Sequence, residues 1–271
     1  MRAYVVAVYL FLYIPIGIIV LFSFSAGRNA SSYEGFSTQW YARAFNNPFV
    51  LEALRTSLTV ALATAVLASL FGTMAALALQ DVRGRVRILY DAMIYVAIMI
   101  PGIVIGIATL VALVTVFDLV NPMVAGLWPG QAPPRLSMGL GSLIAAHTLF
   151  SMALVIVIVR ARIAGMDRAL IEASQDLYAT PWATFWQVTF PQLLPAILAG
   201  FLLSFTFSFD DFIIAFFVAG SETTLPIYIF SSIRRGVTPE INAVGTAVLA
   251  VSLTMLIAAQ LLHRRGRRAA A

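Results

Sequence analysis

An all-α integral membrane protein with six transmembrane helices is the fold class this sequence predicts, on three observations. Of its 271 residues, 61% are apolar and 11% are charged, against about a quarter charged in soluble domains. A hydrocarbon core about 30 Å thick needs about 20 helical residues. Six apolar runs reach that length, at 4–24, 54–79, 89–117, 139–159, 195–219 and 241–262. The inside arginines, finally, crowd at the ends of these runs, and residues 1–271 read as a single transmembrane domain.

The first run ends in the small residues of "FSFSAGRNA", as a cleaved leader would. Its length of about 20 residues and the single preceding Arg2 suit an uncleaved span instead. The third run carries Pro101, Gly102 and Gly106, which bend a helix and let a neighbour approach closely. Asp91, near its inner end, stands four residues after Arg87 and can pair with it on one helix face. The proline- and glycine-rich "NPMVAGLWPGQAPPRLSMG" then reads as an outside loop. Before the sixth run, "LPIYIFSSIRR" sets Leu225, Ile229, Phe230 and Ile233 at helical spacing, as an interfacial helix on the outer face would. "TPEIN" starts the last span, with Thr238 as cap, Pro239 at the first position and Glu240 as a first-turn charge rather than a ligand.

Orientation follows from the arginines. Counted from an inside N-terminus, eleven fall inside (Arg2, Arg83, Arg85, Arg87, Arg160, Arg162, Arg168, Arg264, Arg265, Arg267 and Arg268) and six outside (Arg28, Arg43, Arg55, Arg135, Arg234 and Arg235). Basic residues collect on the cytoplasmic side, so both termini are expected there, with "HRRGRR" as an anchor.

Residues 160–194, between the fourth and fifth runs, hold the longest polar and aromatic stretch and are expected in the cytoplasm. Asp167 can cap a short helix in which Leu170, Ala173, Ser174 and Leu177 recur at i, i+3, i+4 and i+7. Arg168, Glu172, Gln175 and Asp176 lie mostly elsewhere on its surface, which makes it amphipathic and not a span. It must stop near Ala179, because Thr180 precedes a proline; Thr180 then caps a second helix with Pro181 at its first position. Trp182, Phe185, Trp186 and Phe190 crowd that second piece and suit a lipid interface or a protein socket. Pro191 and Pro195 punctuate the entry to the fifth run.

Several chemistries are excluded. All 17 basic residues are arginine, which rules out a Lys-containing nucleotide loop, a Schiff-base enzyme or an S-x-x-K hydrolase within this chain. Energy for any active process must come from elsewhere. Cysteine is absent, and His147, inside one apolar run, is far in sequence from His263, at the end of another, so no metal site is expected. The few acids and two histidines show no nucleophile–base spacing, and no catalytic residue is expected. A secondary transporter is the distant alternative, for which six spans are few unless it oligomerises.

"EASQDLYAT" from Glu172, followed by the Pro-x-x-x-Pro of Pro191 and Pro195, resembles the EAA loop of ABC-importer permeases. "YLFLYIPIGIIVLFSFS", "WYARAFNNPFVLEALRTSLTVALATAVLASLFGTMAALAL", "SFTFSFDDFIIAFFVAG" and "LPIYIFSSIRRGVTPEINAVGT" look like the second permease subunit of spermidine/putrescine importers. The resemblance implies the type I ABC importer permease fold, with a cytoplasmic coupling helix between spans four and five that seats in a partner ATPase. By it, Glu172, Ala173, Ser174, Leu177, Tyr178 and Ala179 form the ATPase-coupling site. Ser174 stands where a second alanine is usual, and Tyr178 where glycine is usual. A glycine there suits positive φ, so either the elbow stays right-handed or Tyr178 takes up a specific socket contact.

The implied partners are a cytoplasmic ABC ATPase dimer, a second homologous permease, a periplasmic or extracellular solute-binding protein and the lipid membrane, with no nucleic acid. The implied location is the bacterial inner membrane. No cofactor is implied in this chain, ATP and Mg being bound by the ATPase. The implied substrate is a small cationic solute, a polyamine, with ferric iron or another small solute as the alternative.

Asp210 and Asp211 lie about two-thirds along the fifth run, where charges avoid lipid. On a continuous helix, adjacent positions differ by about 100°. Asp211 then continues a polar stripe with Ser204 and Ser208, which makes it the substrate-pathway carboxylate, while Asp210 contacts a neighbouring helix or subunit. A polyamine is a chain of ammonium groups, and carboxylates replace its water shell. The alternative has both aspartates in polar helix–helix contacts.

Overall fold

The structure is a computed structural model that describes residues 1–28, 32–130 and 132–269, without the side chains of residues 2–3 and 255–269. Asn29 and Ala30 of the stretch after the first span, Gln131 of the outside loop and the side chains of the tail from His263 to Arg268 therefore lie outside the described residues. Among the described residues there are helices and no strand, only one isolated bridge between Ser25 and Phe36.

The helices are α1 (Arg2–Ser23), α2 (Gln39–Asn46), α3 (Pro48–Ala78), α4 (Gly84–Met99), α5 (Gly102–Leu127), α6 (Leu140–Ala164), α7 (Arg168–Asp176), α8 (Pro181–Thr184), α9 (Phe190–Asp210), α10 (Ile213–Val218), α11 (Leu225–Arg235) and α12 (Pro239–Ala269). A π-helical turn over Phe185–Thr189 joins α8 to α9. Among the described residues five helical stretches are long and apolar enough to cross a membrane: Tyr4–Ser23, Pro48–Ala78, Gly102–Leu127, Leu140–Ala164 and Pro181–Asp210.

The third and fifth runs differ from the expected continuous helices. The third breaks between α4 and α5. Proline removes a backbone donor and drives the residue before it out of the helical region, and Ile100 accordingly sits at φ −65°, ψ 135°. The fifth ends at Asp210, Asp211 is extended at φ −71°, ψ 120°, and α10 starts afresh at Ile213. Adjacent-position geometry on one helix therefore does not govern the two aspartates. Helix α5 also continues through Pro122 to Leu127, into the proline-rich stretch expected as loop. There the Asn121 side chain accepts from Leu136 N and donates to Leu136 O.

Two compact units divide the chain. Met1–Glu52 with Tyr228–Ala271 forms one. In it Trp40 donates its indole N–H to Ser25 O at 2.8 Å, and the Asn47 amide donates to Glu240 Oε1 at 2.7 Å, tying down the first-turn charge of α12.

Ala53–Ile227 forms the other unit. One buried cluster gathers Ala68, Ala76, Ile94, Val155, Val159 and Leu193 from α3, α4, α6 and α9. Small residues let these helices meet. A Cβ on Gly72 would stand 2.7 Å from Val155 Cβ, and one on Gly200 3.3 Å from its methyls. A second cluster joins Val60, Leu143 and Ala146 to Ile214, Ala215 and Val218 of α10. Asp91 of α4 pairs with Arg87 at 3.8 Å and also with Arg160 of α6, a partner that sequence spacing could not reveal.

Candidate functional site: an exposed elbow and a broken helix

The elbow is built from local rules. Asp167 Oδ1 accepts the Ala169 N–H at 2.9 Å and starts α7. At the other end, Tyr178 N donates to Gln175 O and Ala179 N donates to Ser174 O. These are the two bonds of a Schellman termination, which requires a left-handed residue between them. Tyr178 is that residue, at φ 57°, so the elbow is not right-handed. Glycine would occupy it without the roughly 1–2 kcal/mol a side chain costs there. Thr180 Oγ1 accepts the Ala183 N–H and starts α8 with Pro181 at its first position.

Packing divides the six residues expected to couple. Glu172, Ala173, Leu177 and Tyr178 are exposed, Tyr178 at 96%, whereas Ser174 and Ala179 are partly covered. Ser174 Oγ lies 2.9 Å from Thr184 Oγ1 and ties α7 to α8. Trp182, Trp186 and Phe190 form a run of ring contacts, with centroids 5.6 Å and 4.9 Å apart. Trp182 is largely exposed, so apolar Leu177, Tyr178 and Trp182 all lie open around the polar α7.

The second place is the break between α9 and α10. An aspartate competes with the helical backbone because its short side chain reaches nearby amides. Asp211 Oδ2 accepts the Ala215 N–H at 3.0 Å, one of the donors left without a helical partner at the first turn of α10. The same oxygen lies 3.4 Å from His147 Nε2 on α6. This is an ion-pair distance without hydrogen-bond alignment, and His147 Nε2 has no hydrogen-bond partner among the described residues. Its Nδ1 lies 2.8 Å from Ser208 Oγ. Asp211 can only accept, so a proton on Nε2 suits the arrangement, with the Ser208 hydroxyl donating to Nδ1.

The four residues expected in the pathway are thus distributed unequally. Ser208 and Asp211 meet at His147, Ser204 is fully buried with its hydroxyl unpartnered among the described residues, and Asp210 is exposed on the chain's own surface. Sequence reasoning missed His147. The available signal was an ionisable residue inside an apolar run, which calls for a buried partner.

Five apolar stretches of membrane-spanning length, with two of the long runs broken, define a helical membrane protein. The chain superposes with TM-score 0.73 on a bacterial ABC transporter involved in the import of the acidic polysaccharide alginate, at 18% identity, covering 96% of this chain and 92% of that one. Residues 68–268 match the family of binding-protein-dependent transport system inner membrane components, and the chain belongs to that family. It is 37% identical over 262 residues to the spermidine/putrescine transport system permease protein PotC of Escherichia coli K12, covering 96% of this chain and 92% of the relative. It is also 37% identical over 258 residues to the putrescine transport system permease protein PotI of the same strain, covering 94% and 87%. The protein is therefore a permease subunit of an ABC importer, a transport component of the inner membrane.

Proposed function

We propose that this chain and a second, homologous permease form the translocation pathway for a polyamine such as spermidine or putrescine. The likeness to two polyamine permeases along almost the whole chain carries that substrate. The carboxylate of Asp211 supports it: Oδ2 accepts the Ala215 N–H and lies 3.4 Å from His147 Nε2, while no hydrogen bond reaches Oδ1 among the described residues. Such an oxygen can replace water around an ammonium group. Asp210, exposed beside it, is assigned to a contact with a neighbouring helix of the partner permease.

In this reading the chain is one transmembrane domain of six spans, the sixth within α12, with both termini and the 160–194 loop in the cytoplasm. Helix α7 is the coupling helix. Glu172, Ala173 and Leu177 seat in a dimeric ATPase, which binds ATP and Mg and performs hydrolysis, while a solute-binding protein delivers the substrate from outside. The exposed apolar rim of Leu177, Tyr178 and Trp182 supports a protein socket there.

The test is radiolabelled spermidine uptake per assembled complex. Asp211→Asn keeps the shape and removes the charge, and uptake falls about ten- to a hundredfold with assembly retained. Asp210→Asn lowers the amount of complex instead. Unchanged uptake per complex in Asp211→Asn would sink the pathway assignment. A thermal shift of the cognate binding protein with ferric iron, but not with spermidine or putrescine, would replace the substrate.

A further inference from the structure

His147 has no task of its own in the proposed pathway, yet its surroundings are built around one. The imidazole side chain is 2% exposed, so its nitrogens meet this chain alone. Ser208 holds Nδ1, and Nε2 faces the same Asp211 oxygen that already accepts the Ala215 N–H. One backbone donor on α10 and the facing imidazole edge on α6 thus bear on Oδ2. We propose that His147 is a positioning residue for transport: its ring anchors Asp211 by Oδ2, so that Oδ1 is presented to an ammonium group of the passing solute.

A carboxylate on a helix break would otherwise choose among rotamers, and an arriving cation would have to order it. Anchoring from α6 removes that reorganisation before the solute arrives. Ser208 acts one step further back, by fixing which imidazole nitrogen points at the carboxylate. The ring is also matched in chemistry to the solute, since both offer N–H donors to one carboxylate, and the unoccupied Oδ1 lets them bind it together instead of competing.

The inference rests on the placement of Asp211 in the pathway, and the experiment separates the two. The complete importer is reconstituted in proteoliposomes, and spermidine uptake per complex is measured against the concentration of loaded binding protein. His147→Leu removes the Nε2–H that faces the carboxylate and should lower maximal uptake about tenfold, the scale of losing one polar partner of a charged group. The half-saturating concentration should not change, because the His147 side chain is 2% exposed and out of reach of a docking protein. His147→Gln, whose amide can again donate, should recover to within about threefold of the original. In an Asp211→Asn background, His147→Leu should add less than about a twofold further loss, since the charge it serves is gone.

A purely structural histidine would change the yield of complex and not this pattern. Should His147→Leu fail to assemble, Ser208→Ala keeps the ring and frees only Nδ1. It should cost about threefold in the original background and nothing with Asp211→Asn. Equal proportional losses in both backgrounds, or undiminished maximal uptake in the first, overturn the positioning role. If Asp211→Asn itself transports normally, both readings fall; if it loses uptake while His147→Leu does not, only the role of His147 falls.

Discussion

Ser174 Oγ and Thr184 Oγ1 lie 2.9 Å apart, joining α7 to α8 across the left-handed turn at Tyr178. Ser174 replaces the alanine that the resemblance leads one to expect, and Thr184 is 6% exposed, so its hydroxyl has little access to water. Ser174→Ala should leave Thr184 unpaired and cost about 1 kcal/mol, whereas adding Thr184→Val should recover most of it, because removing both partners is nearly neutral. The thermal unfolding midpoints of the purified complex give the double-mutant cycle. Additive effects would mean that the two hydroxyls do not bond.

Tyr178 makes its turn at a conformational cost, and its side chain is almost wholly exposed. Tyr178→Gly should stabilise the elbow by up to about 1 kcal/mol, with uptake per complex within about twofold of the original. A loss beyond tenfold would show that the ring itself is gripped by the ATPase. Glu172→Lys, on the exposed face of the same helix, should leave the permease inserted but weaken ATPase association or release hydrolysis from uptake. Co-purification and the ratio of ATP hydrolysed to solute imported read this out; normal values of both would exclude Glu172 from coupling.

Gly220 combines two constraints. It sits at φ 59°, and a Cβ there would stand 2.5 Å from Met138 O, a backbone atom that cannot swing aside. Gly220→Ala should therefore destabilise the second unit by about 2 kcal/mol or more and reduce the yield of folded complex severalfold. Gly141→Ala is the control, since nothing lies within 4 Å of its Cβ position. Equal yields of the two variants in detergent extracts would refute the steric argument.

The proposed topology can be read with single cysteines, because the chain has none of its own. Gln175 and Arg234 are both exposed. In intact spheroplasts a membrane-impermeant maleimide should label Arg234→Cys and spare Gln175→Cys until the membrane is opened. Labelling of Gln175→Cys from outside would reverse the orientation and remove α7 from reach of a cytoplasmic ATPase.

What the sequence determined by itself is whatever depends on near neighbours along the chain. Hydrophobic run length and composition are properties of a window, so the helical membrane class was legible. Caps act over three or four residues, so Asp167 at the start of α7 and Thr180-Pro181 at the start of α8 could be read off directly. The tertiary structure alone decided where two long runs break and what their polar groups meet. Periodicity carries the fifth run through Asp211, since an apolar stretch looks the same whether or not one carboxylate takes a backbone amide. Only the approach of α6, allowed by small residues such as Gly72 and Gly200 at Val155, brings His147 to that carboxylate. Pairing between distant helices is set by packing geometry, which no window of sequence contains. For the same reason Arg160 at Asp91 stayed invisible, while Arg87, one helical turn away, did not.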